Sequence, residues 1–408
     1  MGDNKISRKD FIVTSGAALT GVSALGYSSI LGANDRVNLG IIGTGSRGTY
    51  IAQVLNQISN IRLMACCDIR PENLQEGLHH ASPDATGYNE YKELLANPDL
   101  DAVVIATPLN LHFEMARDAV DAGKHVYCEK TMTYAIDEAR KLTKLVEGAP
   151  VKFQVGYQHR YNPLYQKIYN LVNDGSVGPI SYVECTWNRN GDWRRPVPDP
   201  SLERLINWRM YREYSQGLMA ELCSHQIDIV NWVLGEVPEK VSGFGGIDYW
   251  KDGRETYDNV HTVFEYPSGI KGKYSSITTN AHEGYSIRFY GKKATIEIKA
   301  VSGHQAYIYA EQQASSSNEN EDDADAITKP TNKAWEQGEA VPIRAEGQAD
   351  GDVGPTRMAF EHFADSIVNN RQPLSNVRNG HNSAICVLMG NKAMRTGSIE
   401  TWKKEYAI

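Results

Sequence analysis

The sequence predicts an α/β protein whose first part is a doubly wound parallel sheet. Three observations carry this. A β-type run, Arg36 to Gly43, passes at once into a glycine-punctuated turn and a helical stretch. Apolar strand-like runs then alternate with helical ones to about residue 155, the order that builds a parallel sheet. Beyond that point short strands follow one another with turn residues between them, as in a second, α+β half.

The 408 residues suffice for two or three domains with real cores. With 41% hydrophobic and 23% charged residues, the composition excludes a wholly disordered, collagen-like or multi-span membrane chain. The net charge of −8 leaves no chain-wide basic field for nucleic acid. Much of it is local: Glu311 to Asp325 holds six acidic residues and no basic one, inside an expected insertion over about 311–355. The 22 tyrosines and 7 tryptophans suit flat polar ligands such as sugars, and serve cores and interfaces equally. The six cysteines show neither a CxxC pair nor zinc-type spacing, so they read as buried free thiols and no metal site is expected.

Residues 1–33 read as an export leader: Lys5, Arg8 and Lys9, a diluted apolar stretch from Phe11 to Leu31, then the small-residue site Leu31-Gly32-Ala33. Ser7-Arg8-Lys9-Asp10-Phe11 resembles the twin-arginine signal with Lys9 in place of the second arginine, which points to the bacterial periplasm. Its hydrophobicity is too diluted for a stable membrane span, and an uncleaved tail is the alternative. The first domain is placed at 34–155 and the second at 156–408.

The first strand ends in Gly43-Thr44-Gly45-Ser46-Arg47-Gly48, a GxGxxG turn, and Thr49 to Leu55 continues as a helix. Gly43 permits the tight turn, Gly45 lets a pyrophosphate approach the backbone, and Gly48 lets the helix pack close to the strand. The next run, Ile61 to Cys67, ends at Asp68, 20 residues beyond Gly48. That is the place of the acid that holds the adenosine ribose hydroxyls. An acid there favours NAD over NADP, whose 2′-phosphate it repels, and Arg70 softens the preference. A third run, Leu100 to Ala106, is broken by Thr107-Pro108, with Asn110 and His112 following at the strand's C-terminal end, where such sheets bind ligands. His125 to Cys128 is a further short strand leading into Glu129-Lys130-Thr131.

Taken with Glu221-Leu222-Cys223-Ser224-His225-Gln226-Ile227-Asp228, these stretches resemble the Gfo/Idh/MocA family of NAD(P)-dependent sugar and polyol oxidoreductases. Glu129-Lys130-Thr131 is similar to that family's Glu-Lys-Pro motif, with Thr131 replacing proline. The later stretch is similar to its Asp-x-x-x-His-x-x-Asp helix, with Glu221 replacing the first Asp. The resemblance covers nearly the whole chain after the leader. It implies an N-terminal Rossmann domain and a C-terminal α+β domain with an open, mostly antiparallel sheet that commonly forms homodimer or homotetramer contacts. Strand-like runs from Gly178 to Trp187, Val260 to Tyr266, Ile270 to Ser276, Tyr285 to Tyr290 and Ala294 to Lys299 agree with that. Ala359 to Asn369 and His381 to Arg395 read as helices closing the second domain.

The resemblance also implies a catalytic Lys130, able to hydrogen-bond the reacting hydroxyl, and a catalytic His225 that takes its proton. At helical spacing Glu221 and His225 share a face, so Glu221 is expected to set the imidazole, with Asp228 as a structural partner rather than a catalyst, or a residue near the substrate. Gly156 to Pro163 looks like the family segment entering the second domain, which makes His159, Arg160 and Tyr161 candidate substrate residues; a polar helix start capped by Asn162 explains the segment equally well. Trp193 and Trp208, near Arg194, Arg195 and Arg209, suit a lid that stacks on sugar rings, or an oligomer contact. Within the family, the leader and the Glu-x-x-Ser-His-Gln-x-Asp pattern resemble exported bacterial enzymes that oxidise glycosides at carbon 3. A glycosidase working by transient oxidation, a sugar–sugar oxidoreductase with a permanently held cofactor, and a sugar-binding module on an inactive fold remain the alternatives.

Overall fold

The computed structural model describes residues 36–300, 303–311, 338–346 and 353–408. The expected leader, Trp335 and all of the acidic segment after Glu311 lie outside them.

The first sheet has six strands: β1 (Val37–Ile42), β2 (Ile61–Cys67), β3 (Thr86–Tyr88), β4 (Ala102–Ile105), β5 (His125–Cys128) and β6 (Phe153–Val155). They lie in the order β3-β2-β1-β4-β5-β6, all parallel. Helices α1 (Ser46–Leu55), α2 (Pro71–His79), α3 (Tyr91–Leu95), α4 (His112–Asp121) and α5 (Ile136–Glu147) connect them. The chain leaves β1 toward β2 on one side and returns to β4 on the other. This opens a crevice at the C-terminal ends of β1 and β4. Both strands are buried on both faces, which is why they read as continuous apolar runs.

The second half begins with α6 (Pro163–Asn173), capped by the Asn162 side chain, which accepts from Leu164 N. There follow β7 (Ile180–Trp187), α7 (Glu203–Ile206), α8 (Ser224–Leu234), β8 (Lys240–Gly246), β9 (Asn259–Glu265), β10 (Lys271–Ile277), β11 (Tyr285–Gly291), β12 (Ala294–Ala300), β13 (His304–Ala310) and β14 (Val341–Ile343). The chain ends with α9 (Val353–Val368), α10 (Val377–Thr396) and β15 (Glu400–Thr401). Among the described residues the second sheet has nine strands in the order β14-β13-β12-β11-β7-β10-β9-β8-β15, antiparallel except for β7 beside β10. One face is covered by α8, whose buried Gln226 donates to Thr186 O on β7 and Ser286 O on β11. The other face carries an ionic row across four strands: Lys273 to Glu184 (3.0 Å), Glu184 to Arg288 (3.1 Å) and Arg288 to Glu297 (2.7 Å).

Helix α9 corrects one expectation. Its Ala359, Phe360, Phe363 and Ala364 pack into the core of the first sheet with Val37, Leu39, Leu63 and Tyr127, instead of closing the second half. The Tyr127 and Phe360 rings stack at 4.2 Å. An apolar stripe tells that a helix is buried on one side, not which sheet receives it. All six cysteines are buried and free. No helix among the described residues is long and apolar enough to cross a membrane.

Candidate active site

The glycine turn is built by steric necessity. Gly43 has φ +91°, and a Cβ there would press on the Ala106 main chain at 2.9 Å. A Cβ on Gly48 would lie 1.9 Å from Gly43 O, so α1 can reach β1 only with glycine at that position. At Gly45 the nearest protein atom would be 3.8 Å away, and that side of the loop is open. Gly45 caps α1 with no side-chain hydrogen bond, so the helix from Ser46 presents its first N–H groups outward. Thr44 Oγ is buried there without a partner. An open cradle at a positive helix end fits a dinucleotide pyrophosphate.

Asp68 stands beside this loop. Its Oδ2 accepts from Thr44 N (2.9 Å) and its Oδ1 from Arg70 N (2.9 Å), which leaves lone pairs for a ribose diol. The Arg70 guanidinium is turned to Glu72. Two residues the sequence reading passed over complete this edge. Asn73 Nδ2 approaches both Asp68 oxygens at 3.3 Å, and Ile69 is 69% exposed, an apolar surface beside Asp68. Across the crevice, Thr107, Pro108 and Asn110 follow β4. Asn110 N donates to Tyr214 O (3.3 Å) of the second half, and Asn110 Oδ1 is buried without a partner.

Glu129 and Arg47 tie α1 to the end of β5 through a 2.8 Å ion pair. Burial opposes the charge on Arg47, but Glu129, Tyr127 and Tyr50 together offset it, so the guanidinium pKa rises. Buried Glu129 is thus a brace of the loop, held against Gly156. His112 is likewise enclosed, with Nδ1 2.9 Å from Thr131 O and Nε2 3.1 Å from Thr107 O.

The Lys130–Thr131 peptide is cis. Lys130 Nζ donates to Glu221 O (2.9 Å) and lies 4.0 Å from Glu221 Oε2. Thr131 Oγ donates to Ala220 O (3.2 Å). These acceptors belong to a π turn, Met219–Cys223, that leads into α8. The π turn changes the expected pairing. Wider spacing turns Glu221 away from the α-helical alignment with His225, and its carboxylate pairs with Arg209 Nε at 2.9 Å. Burial opposes ionisation of Glu221, but Arg209 and Lys130 outweigh it and hold its carboxyl below the ordinary value. Burial lowers the pKa of Lys130, with Glu221 and Glu129 opposing. Arg209, 12 residues upstream of Glu221 in the short 3-10 turn Trp208–Met210, was expected beside a lid tryptophan and not as the partner of Glu221.

His225 is buried and neutral. Burial depresses its pKa well below the usual imidazole value, and Lys130 and His159 add to the effect. Its Nδ1 is enclosed without a partner, which leaves Nε2 to meet a ligand. Around it stand Tyr157 (6.1 Å between ring centres), Trp187 (5.5 Å) and His159 (5.4 Å). His159 lies on the stretch entering the second half that the sequence offers as pocket-lining; Tyr157 just before it and Trp187 at the end of β7 carried no such signal, because a single aromatic residue there looks like ordinary core.

The remaining candidates separate. Arg160 and Asp228 form a buried pair, with Nε–Oδ2 and Nη2–Oδ1 both 2.8 Å, and neither side chain is more than 4% exposed. Tyr161 is packed in the core, and its hydroxyl accepts from Ser375 N (3.0 Å). These three hold the framework and do not line an open surface, contrary to the expected substrate role: each already has its polar atoms engaged inside the protein. Trp193 remains half-buried in its loop at φ +65°, with Arg189 between its ring (5.7 Å) and that of Trp187 (5.6 Å). Trp208 lies under Arg209, 4.1 Å from ring centre to guanidinium, which joins it to Glu221.

Two family models match the chain: the NAD-binding Rossmann fold of an oxidoreductase family over residues 37–157, and that family's C-terminal alpha/beta domain over 170–401. An uncharacterized oxidoreductase, YrbE, of Bacillus subtilis is 30% identical over 49% of this chain and 54% of its own length. The myo-inositol 2-dehydrogenase of Thermotoga maritima is 26% identical over 64% of this chain and 74% of its own. The chain therefore spans about half the length of the first of these relatives and about three quarters of the second. Among solved structures, the aldose-aldose oxidoreductase of Caulobacter crescentus, complexed with glycerol, shares the fold at TM-score 0.70 and 22% identity, covering 90% of this chain and all of that one. The two matches, which together take in the glycine turn, Asp68, Lys130 and His225, place this chain in the Gfo/Idh/MocA family of oxidoreductases.

Proposed function

We propose that this protein oxidises a secondary hydroxyl of a sugar or glycoside, at carbon 3 of a glycoside, with NAD. The carrying observation is that Lys130, from the edge of the nucleotide domain, is bonded to the very turn that leads into the helix of neutral His225. Gly43 to Gly48 hold the pyrophosphate, Asp68 the ribose, and Ile69 offers the adenine an apolar surface. Bound NAD supplies the hydride acceptor. His225 Nε2 takes the hydroxyl proton while the Lys130 ammonium donates to the same oxygen and stabilises its developing negative charge. Glu221, held ionised by Arg209, keeps that ammonium charged. Trp187, Trp193 and Trp208 offer indole surface to the sugar. The relative named for myo-inositol oxidation and the structure named for aldose–aldose chemistry support a polyhydroxylated substrate.

Two wider readings accompany this. The twin-arginine-like leader supports export to the periplasm in folded form with cofactor aboard. The open face of the nine-stranded sheet, where Phe244 is 81% exposed, supports a homodimer or homotetramer.

The test incubates the purified protein with NAD and a panel of glycosides, following reduced-nicotinamide absorbance and product masses. A product two mass units lighter with matching absorbance is expected. Aglycone release without net absorbance change identifies a glycosidase instead. No product and no bound dinucleotide leaves a binding module.

A further inference from the structure

The replacement of the motif's proline by Thr131 has a structural counterpart. Two consecutive main-chain carbonyls of the π turn, Ala220 O and Glu221 O, receive two consecutive side chains from the other domain. Thr131 Oγ donates to the first (3.2 Å) and Lys130 Nζ to the second (2.9 Å). A π turn interrupts the regular helical hydrogen-bond ladder, and here its carbonyls accept side-chain donors. Thr131 is held from its other side as well, because its own carbonyl lies 2.9 Å from His112 Nδ1 on α4. It is buried and half a latch: one contact faces the nucleotide domain, the other the substrate domain.

We propose that Thr131 is a positioning residue for Lys130. Its hydroxyl fixes the separation between the β5 edge and the π turn, and thereby where the ammonium stands relative to Glu221 and His225. Proline cannot do this, having no donor. The inference rests on the catalytic reading of Lys130 given above. The ammonium itself is faced by Glu221 and Glu129, by the cations Arg209 and Arg47, and by neutral His225. A change in its distance from Glu221 therefore changes its acidity, since the carboxylate is the strongest of the influences that favour the charge.

Three variants test this: Thr131→Val keeps the shape and removes the hydroxyl, Thr131→Ser keeps the hydroxyl, and Thr131→Pro installs the motif residue. Ser224 Oγ also donates to Ala220 O (2.6 Å), so the carbonyl keeps one partner in the valine variant and the fold is retained. Two readouts are taken on folded protein: the pH dependence of amine labelling at Lys130, by peptide mass mapping, and the kcat and KM of sugar oxidation. In Thr131→Val, the labelling midpoint is expected to fall and kcat to drop about 10- to 100-fold, with NAD affinity within about twofold of the parent. Thr131→Ser returns both readouts to the parental values within about twofold, and Thr131→Pro behaves like the valine variant. An unchanged labelling profile and kcat in Thr131→Val overturns the proposal. The labelling measurement needs no turnover, so it still decides the latch if Lys130→Met shows that the lysine is not needed for oxidation.

Discussion

Lys130 Nζ lies 2.9 Å from the main-chain oxygen of Glu221 and 4.0 Å from its carboxylate, so one residue both anchors the amine and sets its charge. Lys130→Met removes the donor aimed at the reacting oxygen. Its kcat is expected to fall about 10²- to 10³-fold, with NAD affinity measured by calorimetry unchanged. Glu221→Gln keeps the main-chain anchor and removes the anion that favours the ammonium. Its alkaline limb in kcat against pH is expected to move to lower pH, because the lysine loses its proton more readily.

His225→Ala should remove the base while sparing the nucleotide site. A loss of at least about 100-fold in kcat/KM is expected, with NAD binding intact. Because burial depresses this imidazole, the parental acid limb should lie below the ordinary histidine value of about 6.5. An acid limb above that value would assign the base to another group.

Gly48→Ala and Gly45→Ala separate packing from ligand contact. The Gly48 Cβ meets Gly43 O at 1.9 Å, so this variant should lose about 1–3 kcal/mol in urea unfolding as well as NAD binding. The Gly45 Cβ meets nothing closer than 3.8 Å, so its variant should unfold like the parent and lose only nucleotide affinity.

Arg160→Met leaves the Asp228 carboxylate buried without its partner. A cost of about 3–5 kcal/mol in the same unfolding measurement is expected. The pair Arg160→Met with Asp228→Leu should recover much of that cost, which a substrate-binding role for either residue would not predict.

Stability should fall as pH drops below about 6.5. Burial holds His225 and His159 neutral in the folded chain, with pKa values well below those of the unfolded chain. The unfolded state therefore takes up protons first, and stability is lost as pH falls through that value. Urea midpoints at pH 7.5 and 5.5 read this, and His159→Phe should reduce the difference between them.

The parts legible in the sequence were those fixed by local sterics. Gly43 is demanded by its own φ of +91° and Gly48 by its contact with Gly43 O five residues earlier, and β1 and β4 by apolar runs. The Lys130 and His225 positions came through motif resemblance. The pairing of Glu221 with Arg209 did not, because the four-residue spacing argument assumes α geometry and the chain makes a π turn at Met219–Cys223. Strand β8 was passed over because Gly243, Gly245 and Gly246 weaken its strand pattern. The buried partnership of Arg160 and Asp228 spans 68 residues, and no local pattern announces a contact of that range.

The stacking of Phe360 on Tyr127 has a consequence for how the chain is made. Gln154 Nε2 bonds to Ala359 O, 205 residues later, and α9 covers apolar surface of a sheet whose last strand ends at Val155. During synthesis that surface waits uncovered while more than half of the polypeptide is still to emerge. The nucleotide-binding half cannot mature ahead of the rest, and the ribosome must deliver nearly the whole chain before either half is finished.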